Sequence, residues 1–159
     1  MTQIMNLIGQ KAKKASFEKI NTKIKNKVLK RYASLLDNKK KLILKANTKD
    51  IKFALEKGLK NNLIDRLTIN QKKLNDIRSS VNKIAKQKDP IDNILEKWSQ
   101  PNGLKITRVS IPIGVIGVIY ESRPNVTCDV ASLCFKSGNA VILKGGSEAL
   151  NTNKIFAKL

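Results

Sequence analysis

Between Gly114 and Tyr120 the chain reads GVIGVIY, without a charge, and it runs directly into Glu121-Ser122-Arg123-Pro124-Asn125. A continuous apolar run of this kind reads as a strand covered on both faces, as in a parallel sheet. Ala140 to Leu143 is a second, shorter run, followed by Lys144-Gly145-Gly146. Between them Val126, Val130, Leu133, Cys134 and Ser137 recur at helical spacing, and Gly138-Asn139 closes that helix. Ala149, Thr152, Phe156 and Leu159 mark one more. Strand, helix, strand, helix is a βαβα unit, so a parallel sheet is expected. One parallel pair cannot cover both of its own faces. The chain is therefore expected to be an N-terminal piece of something larger.

The region upstream is helical. After an Asn21 cap, Ile24, Val28, Tyr32, Leu35 and Leu36 form one apolar stripe. Leu42, Ile43, Ala46, Phe53 and Ala54 form a second, closed by Gly58. Leu74, Ile77, Val81, Ile84 and Ala85 form a third, which opens on the capping pattern Thr68-Ile69-Asn70-Gln71 and stops before Asp89-Pro90. Pro101-Asn102-Gly103 is a turn between the run around Trp98 and the alternating segment Leu104–Ile111, which predicts a hairpin. The expected organisation is a helical region over 1–89, a linker and hairpin over 90–111, and the βαβα unit over 112–159.

Charge divides the chain in the same place. The formal net charge is +20, with 32 basic residues, 12 acidic ones and no histidine. Only Arg31, Arg66, Arg78, Arg108 and Arg123 are arginines, whereas a reader of phosphates and base edges favours the arginine fork. A basic nucleic-acid-binding protein and a non-catalytic assembly module are the alternatives from other classes. The aromatics are few, and no helix-turn-helix or RNP pattern is present, so no specific nucleic-acid partner is expected. Cys128 and Cys134 lack further ligands for a zinc site, and no metal is expected. With no signal-peptide core and no stretch approaching a membrane span, the chain reads as cytoplasmic, with reduced thiols and no membrane partner.

Two turns attract attention because ligands of open α/β sheets lie outside the carboxyl ends of the strands. Arg123 can hold a phosphate or carboxylate bidentately, or pair with Glu121 or Asp129. Asn125 can cap the next helix or aim its amide at a developing oxyanion. Lys144-Gly145-Gly146-Ser147 opens a helix, where N–H groups and the helix dipole favour an anion, or it is an ordinary turn with Ser147 as a cap. The Rossmann G-x-G-x-x-G fingerprint is absent. Cys128 and Cys134 read as small buried hydrophobes.

The stretch VSIPIGVIGVIYESRPNVTCDVASLCFKSGNAVILKGGSEA closely resembles the glutamate-5-semialdehyde dehydrogenases, also called gamma-glutamyl phosphate reductases, within the aldehyde dehydrogenase superfamily. ANTKDIKFALEKGL, LIDRLTI, KDPIDNIL and the segment from Trp98 through Pro101-Asn102-Gly103-Leu104-Lys105-Ile106 extend the resemblance upstream, leaving residues 1–40 the least similar. The pattern departs from the family at Asp89-Pro90-Ile91-Asp92, which lacks a usual glycine, and at Gln100, where a basic residue is common. The resemblance implies an α/β fold of the aldehyde-dehydrogenase type, with N-terminal helices, a hairpin and an incomplete parallel Rossmann-like sheet. It implies NADPH-dependent reduction of L-glutamate 5-phosphate to L-glutamate 5-semialdehyde in proline biosynthesis. Cofactor contacts are implied at Lys144, Gly145, Gly146 and Ser147, with Lys144 and Ser147 near the adenosine ribose, and substrate contacts at Arg123 and Asn125. The nucleophilic cysteine is implied to lie in a later catalytic domain, so no catalytic residue and no activity are expected of these residues alone. Implied partners of a complete enzyme are a second copy of itself and glutamate 5-kinase.

Overall fold

The structure, a computed structural model, describes residues 2–159. Five helices come first: α1 (Thr2–Ser16), α2 (Thr22–Asn38), α3 (Lys40–Glu56), α4 (Asn61–Leu67) and α5 (Gln71–Lys86). The hairpin is β1 (Ile94–Ser99) and β2 (Lys105–Val109), antiparallel as predicted, with Gly103 in the left-handed region at φ 85° where a side chain is disfavoured. β3 (Val115–Tyr120), α6 (Asn125–Lys136), β4 (Ala140–Gly145), a 3-10 turn (Ser147–Ala149) and α7 (Leu150–Lys158) complete the chain. β3 and β4 pair in parallel, Val115 beside Ala140 and Tyr120 beside Gly145. The expected βαβα unit is present. No described helix is long and apolar enough to cross a membrane.

The core joins α2, α3 and α5 and includes Cys128 of α6 and Phe156 of α7. The third predicted stripe is buried throughout. Its helix, however, is capped by Asn70, whose Oδ1 accepts from Lys73 N at 2.8 Å. Thr68 instead ends α4 and bonds back to the Ile64 carbonyl. The Gly58 closure forms as predicted: with Gly58 at φ 69°, Leu59 N reaches the Ala54 carbonyl at 3.0 Å.

The first stripe is displaced by one residue. Lys25, Leu29, Ala33 and Leu36 are the buried positions of α2, whereas Ile24 and Val28 are exposed. A lysine enters this face because Asp89 receives its ammonium at 3.0 Å, which neutralises the charge where burial would otherwise forbid it. Val28, Tyr32 and Leu35 instead line a broad apolar cleft of about 1070 Å³ between α1, α2, α6 and β4. The helices α1 and α4 correspond to no predicted stripe. α1 is largely exposed and lies against β3 and β4.

Two further expectations fail on burial. β3 is not covered on both faces: Val115 and Ile119 are exposed and alternate with half-buried neighbours. On α6 the buried face is Thr127, Cys128, Ser132, Cys134 and Lys136, while Leu133 is 49% exposed. Thr127 and Lys136 are admitted because they have partners, whereas the buried Ser132 hydroxyl has none. Thr127 Oγ1 bonds Asn153, and Lys136 Nζ reaches Asn26 and the Ala85 carbonyl.

Candidate functional site

Parallel register fixes where the two candidate turns sit. β3 ends at Tyr120 and β4 at Gly145, its register partner, so the 121–125 turn and the 145–149 turn leave the sheet side by side. Gly146 N donates to the Tyr120 carbonyl at 3.0 Å and continues the ladder past the strand ends. Tyr120 Oη lies 2.6 Å from Thr127 Oγ1, which in turn lies 3.0 Å from Asn153 Oδ1. β3, α6 and α7 are thereby tied beneath the turns.

Glu148 closes the top. Ser122 donates both its N–H and its hydroxyl to Glu148 Oε1. Ser122 is buried and holds φ at 46°, a region a non-glycine residue enters only when its surroundings enforce it. Gly146 lies against the same carboxylate, so a side chain there would displace Glu148 from its present position. Glu148 was not singled out from the sequence. The only available signal was an acid in the first turn after a glycine pair.

Lys144 is the penultimate residue of β4, exposed, on the same side as its exposed register partner Ile119. Gly145 packs against Tyr120 and Asn153. Ser147 is exposed and begins the 3-10 turn; Gly146 stands at the cap position, so Ser147 is not the cap. Arg123 is exposed and forms no ion pair with Glu121 or Asp129. Asn125 is the first residue of α6, with Pro124 at the cap position, and its Nδ2 donates to Asp129 Oδ2 at 3.1 Å. The two cap readings therefore fall away.

The helix N-terminus expected to welcome an anion already holds one. Asp50, from α3, is buried at 1% exposure and accepts from Asn151 N, Asn151 Nδ2, Thr152 N and Thr152 Oγ1 at 2.6–3.0 Å. A protein carboxylate thus takes the place a ligand phosphate would use on α7. Lys144 is the exposed cation beside this turn.

No family model matches the chain. Its sequence is 47% identical over 141 residues to a gamma-glutamyl phosphate reductase of Persephonella marina, covering 89% of this chain and 32% of the relative. The crystal structure of gamma-glutamyl phosphate reductase from Thermotoga maritima superposes with a TM-score of 0.89 at 42% identity, over 94% of this chain and 36% of that one. The chain belongs to the gamma-glutamyl phosphate reductase family. It spans about one third of the length of the curated relatives it matches. A Bacillus subtilis protein described as an aldehyde dehydrogenase shares the fold at a TM-score of 0.65 and 21% identity, over 92% of this chain and 31% of that one. The expected aldehyde-dehydrogenase architecture is confirmed at that level.

Neither thiol described here is built as a reactive thiolate. Cys128 is fully buried. Burial pushes its pKa up to about 12, with Asp129 adding to the effect and the hydrogen bond from Tyr32 opposing it. Cys134 is also raised by burial. At pH 8 a thiol with the pKa of Cys128 is ionised to about one part in ten thousand. A disulfide reagent such as DTNB is expected to leave Cys128 unlabelled in the folded chain and to label both thiols on unfolding. Rapid labelling of Cys128 in the folded chain, with the helical signal intact, would make it a reactive thiol after all.

Proposed function

We propose that these residues form part of the cofactor-binding domain, and part of the substrate site, of an enzyme that reduces L-glutamate 5-phosphate to L-glutamate 5-semialdehyde with NADPH. The observation that carries the reading is the pairing of two latched turns at the carboxyl ends of parallel strands. It occurs in a chain 47% identical to a gamma-glutamyl phosphate reductase.

The nucleotide supplies hydride when bound, and the residues present fit it in one specific way. Gly145 and Gly146 let Tyr120, Asn153 and Glu148 pack close against the backbone beside Lys144, whose exposed ammonium suits a ribose hydroxyl or a 2′-phosphate. Ser147, exposed one residue further, offers a hydroxyl. Asp50 already fills the start of α7, so that helix does not hold the pyrophosphate.

Arg123 is assigned to the substrate's acyl phosphate, because an unpaired exposed guanidinium is available for a bidentate contact. One Nδ2 hydrogen of Asn125 is committed to Asp129. The other remains for the carbonyl oxygen as negative charge develops on it. Glu148 positions the Arg123 turn by gripping Ser122. The attacking thiolate belongs to the remaining part of the family's length, and a second copy and glutamate 5-kinase are the partners this reading carries. Location in the cytoplasm accords with two free thiols.

The test is a graft. Residues 1–159 replace their counterpart in the Persephonella marina relative, and NADPH oxidation is followed with glutamate 5-phosphate. Turnover that requires both is expected, and residues 1–159 alone should give none. A folded graft without turnover, or turnover by the ungrafted chain, would overturn the assignment.

A further inference from the structure

α5 and α6 face each other across a cavity of about 350 Å³, a size suited to a small metabolite. Lys73, Asp76 and Ser80 share one face of α5, and Asn125 and Asp129 share one face of α6, one turn apart. Arg66, near the end of α4, closes one side. Ile69 and Ile77 form the apolar floor. The cavity begins at Asn125, so it adjoins the 121–125 turn.

Its charges are of both signs, and they do not pair with each other. Among the described ion pairs, none joins Arg66 or Lys73 to Asp76 or Asp129. Lys73 is occupied, since its ammonium donates to the carbonyls of Asp65 and Thr68. Arg66 is exposed and has no such engagement. Asp129 is half satisfied: Oδ2 accepts from Asn125, while Oδ1 is buried without a hydrogen-bond partner. Oδ1 is closed to the cavity, so a cationic donor there meets Asp129 through Oδ2, which keeps a lone pair after accepting from Asn125.

We propose that this cavity binds the α-amino-acid end of the substrate, with the α-ammonium on Asp129 and the α-carboxylate on Arg66. Ser80 offers a hydrogen bond between them. The inference rests on the functional reading above and deepens it. Arg123 takes the acyl phosphate, and the cavity between α5 and α6 selects an amino acid over a simple dicarboxylate.

The test uses residues 1–159 labelled with 15N. Free L-glutamate stands in for the substrate's amino-acid end, with glutarate (no ammonium) and 4-aminobutyrate (no α-carboxylate) as comparison ligands. L-glutamate is expected to give saturable amide shifts centred on Ser80, Asn125 and Asp129, and the two comparison ligands are expected to bind at least about tenfold more weakly. Asp129→Asn should erase the preference for L-glutamate over glutarate. Should that variant fail to fold, Arg66→Gln, at an exposed position, should erase the preference over 4-aminobutyrate. Equal binding of all three ligands, shifts centred elsewhere, or no response (a cavity that holds water only) would overturn the proposal. NADPH added to the same sample reports separately on residues 144–148, so a failed cavity assignment is distinguishable from a failed functional reading.

Discussion

Asp50→Ala is expected to destabilise the fold by roughly 3–5 kcal/mol, more than any substitution in the two candidate turns. The carboxylate accepts four hydrogen bonds from the start of α7, and two of the donors, the N–H and hydroxyl of Thr152, belong to a residue at 0% exposure. Removing it leaves those donors buried and unpaired and withdraws a negative charge from a helix N-terminus. The loss is comparable to the total stability of many domains. Asp50→Asn keeps one acceptor and should fall between the two. Thermal unfolding followed by circular dichroism measures both; a loss below about 1 kcal/mol for the alanine variant would mean that α7 is anchored elsewhere.

Lys144→Ala carries the second large effect, on function and not on folding. In a complete enzyme carrying these residues it should raise KM for NADPH by about tenfold to a hundredfold, equivalent to roughly 1.5–3 kcal/mol for one charge-assisted hydrogen bond. KM for the acyl phosphate should change little, because Lys144 projects from β4 and not from the 121–125 turn. The penalty should shrink with NADH if the ammonium serves a 2′-phosphate, and be equal for both cofactors if it serves the ribose. Exposure of the side chain makes a stability effect unexpected. An unchanged cofactor KM with a lower melting temperature would make Lys144 structural.

Elements that follow from local pattern were legible in the sequence. The α5 stripe, the Gly58 closure, the hairpin turn at Gly103 and the parallel βαβα unit all rest on periodicity or on backbone conformations that few residues adopt. What escaped depends on partners distant in the chain. Lys25 enters the core only because Asp89 waits 64 residues away, and no moment calculated along α2 contains that fact. The α6 face is buried through Tyr32, Asn26 and Asn153, so apolar spacing pointed to Leu133 instead.

The candidate site shows the same division. Strand ends and glycine pairs located both turns. The side chains that build them, Glu148 over Ser122 and Asp50 under α7, act across 26 and 101 residues and left no local signature. At the start of α7 the helix dipole is already used by Asp50, a partner that the local sequence does not show.

The central claim is that the two latched turns form one nucleotide and substrate site. It is tested most directly by titrating NADPH into 15N-labelled residues 1–159 at about 150 mM salt, where electrostatic attraction between exposed charges is largely screened. The account predicts saturable shifts at residues 144–148 and 119–125, larger with NADPH than with NADH. Shifts spread over the lysine-rich surfaces of α2 and α3, collapsing with salt and reproduced by DNA of any sequence, would contradict it and make the basic surface the functional one.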